Sequence, residues 1–184
     1  MFFYVMLSVI AFQRIFELII ARRNEKYLKA KGAIEFGKGH YRFMVLIHVL
    51  FFVSMMTEVD LGAKFSSPLL PYLFTMFLFT QAARIWAISS LGEYWNTKII
   101  VLPEAKVPKK GPYKLMRHPN YLIVTLELLL IPMMFHAYFT LFAFTVLNAL
   151  ILSIRIPIEE KALSGATNYE TAYKNENRFL PKFK

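Results

Sequence analysis

The sequence predicts an all-α integral membrane protein of about five transmembrane helices, N-terminus out and C-terminus in. Three observations lead there. Of 184 residues, 57% are hydrophobic and only 18% charged, far from the balance of a soluble domain. Several apolar runs reach or approach the roughly 20 residues that cross a bilayer as helix. The basic residues are also unevenly placed, with 19 of the 22 Lys and Arg in the polar segments 22–42, 92–118 and 155–184. The positive-inside rule puts those segments in the cytoplasm and the loop 58–67, with Lys64, outside. A chain of this length is expected to form one domain, residues 1–184.

The net charge of +10 therefore reads as a basic face toward membrane lipid, worth about 1 kcal/mol per residue near an anionic surface, with no nucleic acid as partner. The absence of cysteine excludes disulfides, thiolate nucleophiles and cysteine-based metal sites. His40, His48, His118 and His136 form no His-x-x-x-His pair and fall in different segments, so no metal site is expected.

The expected spans are 2–21, 43–59, 68–91, 119–135 and 137–154. The first is interrupted by Gln13, Arg14 and Glu17, is preceded by no positive charge and is followed by Arg22-Arg23. It reads as a retained span, not a signal peptide. Segment 22–42 suits an interfacial amphipathic stretch. Its Gly37-x-Gly39 has no alternating strand before it and no third glycine after it, which argues against a dinucleotide-binding loop. The third span carries Gln81 and Arg84. Pro119 suits the first position of the fourth helix, where its missing N–H costs nothing, with Arg117 or His118 in the cap region. The free N–H groups of that first turn are a place for an anionic group. The long apolar stretch beyond breaks near Pro132–Tyr138, as two helices joined by a tight external hairpin would.

Arg14, Glu17, Arg84, Glu127 and Asn148 all fall in the inner halves of their spans, about 6–12 Å deep at 1.5 Å per residue. Ionisable groups in a membrane are costly and point to a functional site, although ion pairs such as Glu17 with Arg84 are an alternative reading. Taken together they predict a polar pocket opening to the cytoplasm beneath an apolar roof. Asn148, Arg155 and Glu159 are spaced seven and four apart, which aligns them on one face of a continuing helix, with a bend expected at Pro157 and Glu160 directed elsewhere.

The segments Gly111-Pro-Tyr113, Arg117-His-Pro-Asn-Tyr121, Arg155-x-x-x-Glu159-Glu160-x-x-Leu163, Tyr169, Tyr173 and Phe179-Leu-Pro181 resemble those of the isoprenylcysteine carboxyl methyltransferase family. The resemblance implies a membrane-embedded O-methyltransferase that uses S-adenosylmethionine. Tyr113, His118, Pro119, Asn120, Tyr121 and Glu159 would contact the cofactor. Arg155, with Arg117 near it, would meet the acceptor as the catalytic pair, and the polar pocket expected from the depth of Glu127, Asn148 and Arg84 would receive it. Ile123 and Ala166-Thr167 stand where the family often has Gly and Phe-Gly, a difference in the pocket walls that argues against a prenylated protein as acceptor. The chain is similar to bacterial members associated with polyketide synthases that methylate long-chain pyrones or related enols. That similarity implies a bacterial plasma-membrane enzyme with a lipophilic acceptor, a cytoplasm-facing site and a functional link to such a synthase. An isoprenoid or prenylcysteine carboxyl methyltransferase, a sterol-type reductase using NADPH, and a lipid-binding scaffold remain the alternatives. NADPH binding would mark the reductase, and indifference to neutral replacement of Arg155 and Glu159 the scaffold.

Overall fold

The computed structural model describes residues 1–62 and 67–181. Residues 63–66 of the expected external loop, Lys64 among them, lie outside those residues. The fold is all-α, with long helices near each expected span: α1 Phe2–Ala30, α2 Lys38–Gly62, α3 Leu70–Leu91, α4 Pro119–Met134 and α5 Tyr138–Ala166, followed by the short α6 Tyr169–Ala172. By length and composition α1, α2 and α5 can each cross a membrane. Helix α4 is apolar but has only 16 residues. Helix α3 has 22, about 33 Å of helix, and is made less apolar by Gln81 and Arg84.

Apolar residues from all five helices form the main core at one end of the bundle. Phe3, Met6, Leu7 and Ile10 of α1 meet Phe51 and Met55 of α2, Phe77 of α3, Ile131 and Met134 of α4 and Phe144 of α5. The rings of Phe51 and Phe144, and of Phe3 and Phe135, pack edge to face at 5.5 and 4.9 Å, the arrangement the ring quadrupoles favour. The α4–α5 hairpin turns tightly at the same end, where His136 takes a left-handed backbone (φ 56°). Ala137 offers α5 no side-chain cap. Instead Glu58, from α2, accepts from the N–H groups of Phe139 and Thr140 at 2.9 and 2.8 Å, placing a carboxylate at the positive end of α5.

At the opposite, polar end the helices outrun the expected spans. Helix α1 continues nine residues past Ala21, helped by the i,i+4 pair of Glu25 with Lys29 at 2.6 Å. Helix α5 runs on through Pro157 to Ala166. An unexpected two-stranded antiparallel sheet joins β1, Ile34–Phe36, to β2, Ile99–Val101, with Glu35 opposite Ile100. A strand therefore does precede Gly37, but its partner is antiparallel and it leads into a membrane helix, so no dinucleotide fold results. Lys98 bridges Glu25 at 2.8 Å, and Asn24 donates to the carbonyl oxygens of Gly92 and Trp95 at 3.0 and 2.8 Å. These bonds hold segment 92–101 against α1.

Gly111 opens a short 3₁₀ turn, Gly111–Lys114, against the end of α3. Its φ is +52°, and a Cβ there would stand 2.0 Å from Ser90 Oγ. Gly111→Ala is expected to lower stability by about 1–3 kcal/mol through backbone strain and the clash together. Adding Ser90→Gly should recover only part of this, because the backbone strain and the contact with Trp86 Nε1 at 2.9 Å remain, which a thermal melt of single and double variants would resolve. An unchanged melting temperature in Gly111→Ala would refute this account.

Candidate functional site

The start of α4 and the C-terminal half of α5 converge on one hydrogen-bonded chain. Tyr121, in the first turn of α4, donates its hydroxyl to Glu159, and Arg155 Nε donates back to Tyr121 Oη at 2.7 Å. Arg155 Nη2 donates to the Thr97 carbonyl at 2.7 Å. Its Nη1, buried, has no partner. Arg155 is only 4% exposed, so this uncommitted donor is a buried cationic edge that favours an anion or a polar oxygen opposite it.

These residues border a cavity of about 210 Å³. Its walls come from α1 (Arg14, Glu17), α2 (Tyr41, His48), α3 (Arg84), the Trp95–Lys98 segment, α4 (Asn120, Tyr121) and α5 (Asn148, Arg155, Glu159). The expected alignment of Asn148, Arg155 and Glu159 on one helix face is what the continuous α5 delivers, whereas Glu160 is absent from that lining. A second cavity of about 130 Å³ adjoins it, sharing Tyr113, Arg117, His118 and Glu159, and extends between β2, the following loop and Tyr169, Thr167 and Tyr173. Glu159 is the only acidic residue among the described residues lining this second space. Burial pushes the phenols of Tyr113, Tyr169 and Tyr173 well above the ordinary tyrosine range, so all three remain neutral walls.

Three expected site residues sit differently. Pro119 is buried at the first position of α4 and lines neither cavity; its part is to start the helix. Glu127 is absent from both linings, and both oxygens of its carboxylate are engaged within the protein. It takes Arg84 Nε and Nη2 at 3.0 and 2.8 Å, Arg14 Nη2 at 2.6 Å and Gln81 Nε2 at 2.7 Å. Arg84 also lies 3.5 Å from Glu17, so the ion pair weighed from sequence exists within this larger network. Arg117 borders both cavities, but its Nε donates to the Glu176 carbonyl at 2.7 Å and its Nη2 to the Tyr173 carbonyl at 3.0 Å. Its guanidinium holds the C-terminal tail.

The tail also takes backbone groups at the start of α4, the N–H of Arg117 to Asn177 O and of His118 to Arg178 O, each at 3.0 Å. Glu160 locks this arrangement, 3.1 Å from His118 Nε2 and paired with both Nε and Nη2 of Arg178 at 3.1 and 2.6 Å. Glu160→Gln should therefore loosen residues 173–178. Amide exchange there is expected to quicken about tenfold, the loss of one or two charge-assisted bonds, while α3 stays protected. Unchanged exchange in the tail would refute the lock.

Sequence reasoning missed Trp95, Asn96, Thr97 and Tyr41, which reach the cavity only because β1–β2 pairing folds two distant polar segments together. Asn120 Oδ1 and Trp95 Nε1 are buried at the cavity without a protein partner, as is the Tyr169 hydroxyl beside the second one. Orphaned polar atoms on both walls, neutral tyrosine rings and one carboxylate fit a ligand with an aromatic ring, several polar groups and a positive centre. Ile123, one of the unusual positions, is buried against Ala87, Tyr113 and Tyr169 behind the wall. Thr167, the other, borders the second cavity directly.

Comparison with known proteins places the chain in a family. The sequence model of the isoprenylcysteine carboxyl methyltransferase (ICMT) family matches residues 72–165, the stretch from α3 to the end of α5. The uncharacterized protein YpbQ of Bacillus subtilis (strain 168) is 47% identical over 161 residues, which cover 88% of this chain and 96% of that protein. An uncharacterized protein of Haemophilus influenzae Rd is 32% identical over 152 residues, 82% of this chain and 88% of its own length.

Proposed function

The chain belongs to the isoprenylcysteine carboxyl methyltransferase family of membrane methyltransferases, and from that premise we propose that it transfers a methyl group from S-adenosylmethionine to an ionised oxygen of a lipophilic acceptor, of the alkylpyrone enol type, in the inner leaflet of a bacterial plasma membrane. The observation that carries this reading is Arg155, buried between Tyr121 and Thr97 with Nη1 unpaired on the cavity wall.

When bound, S-adenosylmethionine supplies an electrophilic methyl on a positively charged sulfur. Glu159, the acidic group where the two cavities meet, favours that positive charge, and Tyr113, Tyr169 and Tyr173 offer flat neutral walls for the ring system. Asn120 Oδ1 and the Tyr169 hydroxyl are the orphaned groups available to its polar edges. His118 and Arg117 keep the tail closed over this side. Arg155 binds and orients the acceptor oxygen. An enolate or carboxylate is already ionised near neutral pH, so no general base is needed, and alignment in a water-poor cavity supplies much of the rate. The acceptor's charge falls on the way to the transition state, so Arg155 acts through binding and positioning, not a tighter hold on the transition state.

The concentration of basic residues at the cavity end of the bundle supports a cytoplasm-facing site. Incubating purified protein with methyl-labelled S-adenosylmethionine and a bacterial lipid extract, then identifying the labelled product by mass, tests the reaction directly; labelling of no lipid would overturn it. Glu159→Gln is expected to weaken S-adenosylmethionine binding about tenfold, the worth of one charge-assisted interaction, with acceptor affinity little changed. Equal affinity for the cofactor in both proteins would sink the role given to Glu159.

A further inference from the structure

Arg155 and Glu159 are four residues apart on the continuous helix α5, the spacing at which opposite charges on one face pair directly. Among the described residues they form no such pair. Arg155 donates from Nε to Tyr121 Oη and from Nη2 to the Thr97 carbonyl, each at 2.7 Å, and Glu159 accepts from the Tyr121 hydroxyl. A single phenol oxygen therefore stands between guanidinium and carboxylate, accepting from the first and giving its one proton to the second.

This hydroxyl is held from outside α5. Tyr121 belongs to the first turn of α4. Its ring stacks on that of His118, with centroids 5.3 Å apart and planes at 26°, and Arg155 Cζ lies 5.7 Å from its centroid. His118 is itself fixed, with Nε2 3.1 Å from Glu160 and its backbone N–H on Arg178 O at 3.0 Å. The two charges also serve different spaces, since Arg155 borders the first cavity alone and Glu159 borders both. Without the hydroxyl, the guanidinium has Nε released and Nη1 already unpaired, and the nearest carboxylate along its own helix is one turn away. An ion pair in so buried a place is strong, and it would leave neither charge free for a ligand.

We propose that Tyr121 is a positioning residue whose hydroxyl keeps Arg155 and Glu159 from pairing directly, so that the site offers a cationic and an anionic subsite at the same time to two ligands of opposite charge. The identity of those ligands rests on the methyl-transfer reading, but the decisive measurement uses neither turnover nor cofactor. Wild type, Tyr121→Phe, Glu159→Gln and the double variant, in phosphatidylcholine nanodiscs, would be titrated with laurate as the anion. Tyr121→Phe is expected to weaken laurate binding about tenfold, the competition of one charge-assisted bond. Adding Glu159→Gln to Tyr121→Phe should win back at least about fivefold, because it frees Arg155, whereas Glu159→Gln alone should change laurate affinity no more than about twofold.

That recovery is a readout that mere packing of the tyrosine ring would not move. No laurate binding by wild type, no loss in Tyr121→Phe, a loss that Glu159→Gln does not reverse, or an equal gain from Glu159→Gln in both backgrounds would each overturn the proposal; the last would show simple repulsion of the anion by the carboxylate. Where Tyr121→Phe does not yield folded protein, Tyr121→Met also lacks the hydroxyl, and the same loss and recovery are required of it. S-adenosylmethionine would be titrated separately into wild type. Failure to bind it would count against the methyl-transfer reading, while the laurate pattern would still decide the spacer.

Discussion

Arg155→Ala is expected to lower kcat/KM for the acceptor by at least about 100-fold, while S-adenosylmethionine affinity stays within a few-fold of wild type. The arginine is almost wholly buried, and its Nε and Nη2 are tied to Tyr121 and Thr97. Its removal takes away the cation that would meet the acceptor anion and leaves the Thr97 carbonyl without that donor. Removing a charge-assisted hydrogen bond from a buried site costs about 2–5 kcal/mol, and each 1.36 kcal/mol is about tenfold in rate. The loss should fall mainly on acceptor binding and productive orientation. Arg155→Lys should recover part of it, since a lysine restores charge but cannot serve Tyr121, Thr97 and the acceptor with one planar fork. Steady-state kinetics on all three proteins, paired with cofactor titrations, would decide it. Wild-type kinetics in Arg155→Ala would remove the acceptor role altogether.

The second large effect belongs to stability. Glu127→Leu should cost about 3–5 kcal/mol, because it strips Arg84, 3% exposed, of its two-bond partner and leaves Glu17 at 3.5 Å as its nearest carboxylate. At this chain length that is a fall in Tm of roughly 10 °C. A buried ion pair is far more sensitive to losing one partner than to losing both. Arg84→Met in the Glu127→Leu background should therefore recover much of the stability, a non-additivity that a double-mutant cycle measures. If the double variant were less stable than Glu127→Leu, the network would not be the cause.

These two residues also separate what is legible in the sequence from what is not. Arg155 and Glu159 are legible because four residues is about one helical turn, and a helix that continues through Pro157 keeps both on one face whatever surrounds it. Glu127 is legible only as an ionisable group in a span. Whether it faces a ligand or two arginines depends on α1 and α3, which carry its partners 113 and 43 residues away. Arg117 is similar: the family resemblance assigns it to the acceptor beside Arg155, and in the fold the tail supplies carbonyls at the distance its guanidinium needs. The sheet is hidden in the sequence because two strands of three residues are too short to show alternation.

Composition, hydropathy and the placement of basic residues settled by themselves that this is a helical membrane protein, where its long helices lie, and that polar groups gather near one end of them. Local periodicity set the Asn148–Arg155–Glu159 face. Only tertiary packing decided which buried charges neutralise one another, which polar atoms remain unpaired on a cavity wall, and how segments 34–36 and 95–101 help to enclose that cavity. The division is physical. Transfer of a helix into lipid depends on its own residues, whereas pairing of a buried charge depends on groups that the rest of the chain brings to it.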